Sequence, residues 1–425
     1  MHPSVVANLT ERGAGGLSWA VLVTEDGEVA ATARALATAP LVAFDVEFAS
    51  AERLVPKLCL LQVAWLGEHV SLDAPARQIV AAVPEIRLLD PLAVDVAPVV
   101  HALAAHPMVV AHSPRQDLQL LAQRFGPGAA TMPGLIDTQL MAAFAGIGDQ
   151  VGLGSLVREL LGIELEKGSQ FTNWARRPLS PAQLEYAPGD VAHLHAIYAT
   201  LRDRLGERIA WARAETAEVA RDALEAASVT VDTAWRDIAG LRTLDRAGLA
   251  AGIALAAWRF RTATELDRPL GQVLGEKLLI DFARHRADGN AVRNAKGVSP
   301  IARQRADEIA DAIATADVSA VAAIARQPSH APSVRAQRWA ELLLAIAHVV
   351  ADDSRIASRL LATRSDAEEF ARTADEAGLA AITALPALAT WRRDVIGAAW
   401  RGFLDGSLAL VGDAKANHGI ALVAR

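Results

Sequence analysis

Phe44-Asp45-Val46-Glu47-Phe48 lies inside Leu41–Phe48, a run that is otherwise apolar. Such a run reads as a buried β-strand. Side chains two positions apart in a strand share a face, so both carboxylates project to the same side. Asp and Glu are poor strand formers, and two like charges amid apolar neighbours repel each other. A bound divalent cation relieves that repulsion. A strand whose end runs out into solvent also accounts for the pair, and the motif alone leaves both readings open.

Working outward, Val21–Val23 reads as a strand and Glu28–Ala39 as a helix. Leu58–Trp65 and His69–Leu72 read as a hairpin turning at Leu66-Gly67-Glu68. Val109–Ala111 and Leu135–Ile136 are short apolar strands, each leading into a helical pattern (Asp117–Phe125, Thr138–Phe144). Strands interleaved with helices, plus one early hairpin, predict a mixed α/β sheet. Beyond Ser180 no strand pattern stands out. Glu207–Ala227 reads as a charged connecting helix. Asp245–Thr315 and Arg335–Gly406 read as helices broken by Pro or Gly, with a linker at Gln327–Ser333. The expected organisation is an α/β domain over residues 1–210, a helical linker over 211–240, and helical domains over 241–322 and 323–425.

With 425 residues, about two to four domains are expected. Hydrophobic residues at 52% and charged residues at 21% describe a folded chain. The single cysteine, Cys59, excludes an internal disulfide, and no Cys/His cluster suggests zinc. Met1–Gly16 lacks the basic start and apolar run of a signal peptide, and the apolar stretch Leu342–Val350 is too short to span a bilayer. A cytoplasmic protein without membrane partners is expected. The net charge of −7 argues at first against a nucleic-acid partner. Its distribution says otherwise: residues 1–210 hold 22 Asp/Glu against 15 Lys/Arg, whereas Arg242–Arg305 holds 12 Lys/Arg against 6 Asp/Glu. An acidic front half with a basic segment behind it fits a metal site beside a nucleic-acid grip. Solvated helix faces produce the same pattern.

Two further acidic positions stand out. Asp117 follows the loop His112–Gln116 and enters a helix, where an acidic residue is commonly a partner of the helix dipole. In Glu185-Tyr186-Ala-Pro-Gly-Asp190, Pro188 suits the start of a helix, which puts Tyr186 on a turn and Asp190 in the first turn of a helix running to Leu205. Tyr186 as a core aromatic and Asp190 as a helix-start charge is the alternative. Asp137 reads as the cap of the helix at Thr138, and Ser155 as the cap of the next one. His193 and His195 read as packing or surface residues.

The order Asp-x-Glu, Asp at a strand-to-helix step, then Tyr-x-x-x-Asp resembles the DEDDy exonucleases of the ribonuclease-H-like (DnaQ-like) superfamily, and most closely ribonuclease D. The likeness extends to Leu58-Cys-Leu-Leu-Gln-Val63, to Leu135-Ile-Asp-Thr-Gln-Leu140, and to Leu153 through Asn173-Trp174-Ala-Arg-Arg-Pro-Leu179. It covers roughly residues 20–205. The resemblance implies an exonuclease domain with a mixed sheet in which Asp45, Glu47, Asp117 and Asp190 hold two divalent ions, Mg²⁺ or Mn²⁺. It makes Tyr186 the residue that orients the attacking water, with acceptance of that water's proton as a further role. The position used by the histidine variant of the family is Glu185, which favours the tyrosine variant. Lys167, Gln170, Trp174 and Arg176 become candidates to line a substrate groove, with Trp174 as a loop anchor the alternative.

Ala256-Ala-Trp-Arg-Phe-Arg261 and Asp267–Lys277 resemble the helicase-and-RNase-D C-terminal (HRDC) domain, and Trp391–Gly397 lies in what looks like a diverged second copy. Two all-α HRDC-like domains are therefore expected, with Arg284, Arg286, Arg293 and Lys296 as candidate phosphate contacts. The implied partner is RNA with a single-stranded 3′ end, tRNA precursors by family analogy, handled by a monomer. Departures from the family pattern are an insertion at about Leu72–Arg87, Val46 between the carboxylates, and Phe171 and Asn173 where polar or acidic residues are usual. A DNA exonuclease with the same chemistry and a non-catalytic nucleic-acid binding protein are the rival functions.

Overall fold

The structure is a computed structural model that describes residues 20–425 apart from 51, 166–167, 169–171, 322–331, 386–387, 389 and 417–418. Lys167, Gln170, Phe171 and residues 327–331 of the expected linker lie outside the described residues.

The front half runs β1 (Ala20–Val23), α1 (Asp26–Thr38), β2 (Val42–Ala49), β3 (Lys57–Trp65), α2 (Ala76–Ala81), β4 (Glu85–Leu89), α3 (Ala97–Ala105), β5 (Val109–Ala111), α4 (Arg115–Phe125), β6 (Leu135–Asp137) and α5 (Thr138–Phe144). Then come α6 (Leu153–Leu161), α7 (Pro181–Tyr186), α8 (Gly189–Ala192), α9 (Leu194–Leu205) and α10 (Ile209–Ala227). The six strands form one sheet in the order β1-β4-β3-β2-β5-β6. β3 runs antiparallel to both β2 and β4, and the other pairs are parallel, so the sheet is mixed as expected. Alternation along β2 divides the sheet's two cores. Val42, Phe44 and Val46 pack with α1, α3 and α4, while Ala43 faces α5, α6 and α9. Asp45 and Glu47 share the Ala43 face.

The expected hairpin at Leu66–Glu68 is corrected. His69–Leu72 is not a strand; β3 pairs instead with β4, Trp65 opposite Glu85 and Leu61 opposite Leu89. Four residues were too few to make a partner for a nine-residue strand, and the inserted segment folds on its own account as α2. It is strapped to α9: Arg202 donates to the carbonyls of Leu72 and Ala74, Asp203 accepts from the Ala76 N–H (3.1 Å), and His195 Nε2 donates to the Ala82 carbonyl (3.0 Å). His195 is thus a buried packing residue. The expected unbroken helix after Pro188 is two helices, α8 and α9, separated at His193. The cap of α6 is Gly152, and Ser155 lies inside its first turn.

The rear half runs α11 (Arg246–Leu266), α12 (Leu270–Val273), α13 (Glu276–His285), α14 (Gly289–Asn294), α15 (Pro300–Gln304), α16 (Ala306–Ala314), α17 (Val334–Ser354), α18 (Ser358–Leu361), α19 (Arg364–Ala377) and α20 (Ala398–Asp405). It ends in β7 (Leu408–Gly412) and β8 (Ile420–Ala424), which pair antiparallel. This hairpin corrects the expectation of an all-α C-terminal region. Each strand is a short apolar run that suits helix or strand alone, and the pairing across the turn decides the outcome. Among the described residues no helix is long and apolar enough to cross a membrane.

The two helical parts attach differently. α11–α16 enclose their own core, including Leu255, Trp258, Phe282 and Ile309. The C-terminal helices instead share one continuous core with the sheet face that bears Asp45. At that seam Trp391 stacks on Trp211 (centroids 5.1 Å apart) and meets Phe144 edge-on (5.0 Å). Glu215 of α10 accepts from Trp391 Nε1 at 3.0 Å and from both terminal nitrogens of Arg392 at 2.7 and 2.6 Å. Removing one partner of a buried pair leaves the other charge uncompensated. Glu215→Ala should therefore lower unfolding stability by about 3–5 kcal/mol, measured by urea denaturation with tryptophan fluorescence.

Candidate active site

Each carboxylate of the candidate site is delivered by a different rigid device. Asp45 and Glu47 come from β2, which has neighbouring strands on both edges. Asp117 lies in the first turn of α4, only 8% exposed. The turn into that helix is set by Asp137, whose Oδ1 accepts from the N–H of Ser113 and of Gln139, both at 2.8 Å. Asp137 therefore caps α5 as expected, and it also holds Ser113 in a left-handed conformation (φ 56°) that re-aims the chain toward Asp117. His112 is fixed by contacts from Nε2 to the Val151 carbonyl (3.0 Å) and from Nδ1 to Thr138 Oγ1 (2.9 Å). Burial lowers its pKa to about 4, so it is neutral and acts as a strut.

Tyr186 ends α7, whose start is secured by a capping box between Ser180 and Gln183. Pro188 caps α8 and puts Asp190 in its first turn. The Tyr186 hydroxyl donates a hydrogen bond to the Asp190 carboxylate. These devices bring oxygens of Asp45, Glu47 and Asp190 within 4.8 Å of one another. Asp117 lies close enough to raise the pKa of Asp45 and of Glu47.

Burial and mutual repulsion make all four carboxylates reluctant to ionise together. Burial, then Asp117, Asp190 and Glu47, push Asp45 well above the carboxylate range. Burial, then Asp190 and Asp117, push Glu47 to about 8. Burial, then Asp137 and Asp190, push Asp117 to about 7, and burial pushes Asp190 to about 7 against the opposing hydrogen bond from Tyr186. Oδ2 of Asp190 is buried without a hydrogen-bond partner. An orphaned carboxylate oxygen in an all-oxygen cluster fits a hard divalent cation.

The segment before α7 is pinned by Arg177, the neighbour of the candidate Arg176. All five of its N–H groups are used. Nε and Nη2 grip the Asp90 carboxylate (2.5 and 2.6 Å), Nη2 also donates to the Cys59 carbonyl of β3 (2.6 Å), and Nη1 donates to the carbonyls of Trp174 and Arg176 (both 2.8 Å). Nothing local could have revealed it, because Asp90 is 87 residues away. Trp174 is 2% exposed and packs on Tyr186 with ring centroids 6.2 Å apart, which fits the loop anchor of its two readings. Arg176 is exposed. Arg284, Arg286, Arg293 and Lys296 are exposed on α13, α14 and the turn after it, with Arg286 paired to Asp245 (2.7 Å) and Arg293 to Asp307.

Two outcomes are expected. The raised carboxylates bind more protons in the folded than in the unfolded chain, so their contribution is full below the unfolded pKa of about 4 and is lost as pH rises through 7–8. In EDTA the melting temperature should fall between pH 5.5 and pH 8.5, and Mn²⁺ should restore it at pH 8.5 but hardly at pH 5.5. Calorimetric melts at the two pH values check this. Arg177→Lys keeps the charge but loses the fork; it should cost about 2–4 kcal/mol of stability and lower activity, read by denaturation and turnover.

A family model for a 3′-5′ exonuclease matches residues 20–206. Ribonuclease D of Granulibacter bethesdensis is 33% identical over 93% of this chain and 95% of its own length. Ribonuclease D of Gluconacetobacter diazotrophicus is 31% identical over 92% and 94%. The crystal structure of Escherichia coli RNase D superposes with a TM-score of 0.73 at 25% identity, covering 91% of this chain and 98% of that one. Identity of one residue in three, sustained along nearly the whole of both proteins, shows that this chain belongs to the ribonuclease D family and is a 3′-5′ exoribonuclease.

Proposed function

We propose that Asp45, Glu47, Asp117 and Asp190 hold two divalent ions, Mg²⁺ or Mn²⁺, and that the chain uses them to remove 5′-mononucleotides one at a time from RNA 3′ ends. The observation that carries this reading is the gathering of three carboxylates within 4.8 Å, with the fourth beside them and Tyr186 bonded to Asp190. Bound ions would acidify the attacking water and stabilise the charge that develops on the leaving 3′ oxygen. The protein's own residues do the rest. Asp137 and Arg177 keep Asp117 and the Tyr186 segment in place. Tyr186, its pKa raised by burial and then by Asp190, Glu47 and Asp45, keeps its proton at neutral pH. It therefore works as a hydrogen-bonding group that orients water.

The Escherichia coli relative is described as an exoribonuclease involved in structured RNA processing. By analogy the substrates here are structured RNAs with single-stranded 3′ extensions, such as tRNA precursors, handled by a monomer. Residues 241–322 and the C-terminal helices would serve as HRDC-like modules. Among the described residues, Arg284 and Lys296 are the candidate phosphate contacts not committed to an ion pair.

The test is incubation with matched 3′-overhang RNA and DNA, labelled at the 5′ end, in Mg²⁺, Mn²⁺ or EDTA. A metal-dependent ladder that shortens from the 3′ end, faster on RNA, is expected. Faster loss of DNA would point to a repair nuclease. Asp45→Ala and Asp190→Ala should abolish hydrolysis in a folded protein. Tyr186→Phe should slow turnover roughly 10²-fold while Mn²⁺ binding, followed calorimetrically, persists.

A further inference from the structure

Gln62 stands directly opposite Asp45 in the antiparallel register of β2 and β3. Residues paired in this way point to the same face of the sheet, with Cβ atoms about 4.5–5.5 Å apart. Gln62 therefore shares the face of Asp45 and Glu47. Its neighbour on the other side is Leu88 of β4, and the flanking residues of β3 on that face are Leu60 and Ala64. Helix α8, which carries Asp190, packs over β2 and β3. The amide is thus enclosed between apolar side chains, with the Asp45 carboxylate across the strand from it.

Gln62 is 0% exposed, and neither its Oε1 nor its Nε2 has a hydrogen-bond partner in the protein. Among the described residues it is the one side chain with two buried polar atoms that are both unpaired. Trp174, Asp190, His195 and Arg259 each leave one buried polar atom unpaired, and several other buried polar side chains are satisfied. His106 reaches the carbonyls of Met108 and Ala39, Thr216 that of Ala212, and Gln183 reaches Thr172 Oγ1 and the Asn173 carbonyl. An unpaired buried amide is destabilising, and an apolar side chain of the same length would fill the space without that penalty. Local rules of this kind are broken where function demands it.

We infer that Gln62 is a positioning residue for the metal centre. Its amide, through a bridging water, donates to the Asp45 carboxylate and fixes the orientation in which Asp45 meets an ion. Groups that orient a metal ligand from behind commonly govern affinity and rate as strongly as some ligands do. The inference rests on the exonuclease reading of the carboxylates. It adds to that reading a polar residue that neither reacts nor ligates.

Gln62→Leu and Gln62→Met should be compared with the full-length wild type and with Asp45→Asn. The readouts are the melting temperature in EDTA, the Mn²⁺ dissociation constant by titration calorimetry, and kcat and KM on a single-stranded oligoribonucleotide. Both variants should melt no lower than wild type, and higher if the penalty is relieved. They should bind Mn²⁺ about 10–100-fold more weakly and lose kcat in step, with KM for RNA little changed. Wild-type Mn²⁺ affinity and kcat in both variants would overturn the inference and leave Gln62 a core residue. So would a lowered melting temperature in both with normal Mn²⁺ affinity, which would make the role structural. Full Mn²⁺ binding by Asp45→Asn is a separate result. It would reject the metal assignment of Asp45, and the role of Gln62 would fall with it.

Discussion

Four carboxylates repel one another in a place where water cannot shield them, and the surrounding fold is organised to keep them there. Burial raises every member of the quartet, and each is raised further by a neighbouring carboxylate or restrained by a donor such as Tyr186. Left to themselves such groups would swing apart toward solvent. They stay because β2 has a partner strand on each side, because Asp137 grips the turn before Asp117, and because a broken helix brings Asp190 back across the sheet. The resulting all-oxygen cluster suits a hard divalent cation. A polypeptide that relaxed this tension would be more comfortable and less useful.

What was legible in the sequence follows the range of the interaction that creates it. The Asp45–Glu47 pair declares itself through the two-residue period of a strand, and Tyr186 and Asp190 through a proline between them. Asp137 is a cap that any helix start would advertise. Three of the misses are matters of distant partners. Nothing near His69–Leu72 said that β3 would choose residues beyond α2, and nothing near Arg177 pointed to Asp90. Gln62 sits in the Leu58–Val63 strand motif, but its isolation appears only when the strands on both sides are in register. The terminal hairpin hid in short apolar runs whose local preference was ambiguous.

The two rear modules solve their attachment to the catalytic sheet in opposite ways. The C-terminal one gives up an independent core. Trp391 enters an aromatic cluster with Phe144 and Trp211, and Arg392 meets a carboxylate that is nearly enclosed. The same module braces the segment between α5 and α6: Ala357 donates to the Ala143 carbonyl at 3.0 Å, and Arg359 meets Asp149 at 2.9 Å. That segment ends near Val151, whose carbonyl holds His112, so the brace reaches the wall behind Asp117.

The middle module keeps its own core and meets the catalytic domain at the tip of the β2–β3 hairpin. There Leu54 packs against that core, its N–H donates to Asp267 Oδ1 (3.2 Å), and Arg53 pairs with the same carboxylate at 2.8 Å. Arg53 and Asp267 are each about half exposed, so salt screens the pair and its contribution is small. The enzyme is therefore built like a vise with one jaw cast into the frame and one held by a light spring. Rising ionic strength slackens the spring and leaves the casting untouched. The spring is anchored on the same β-ribbon that presents Asp45 and Glu47.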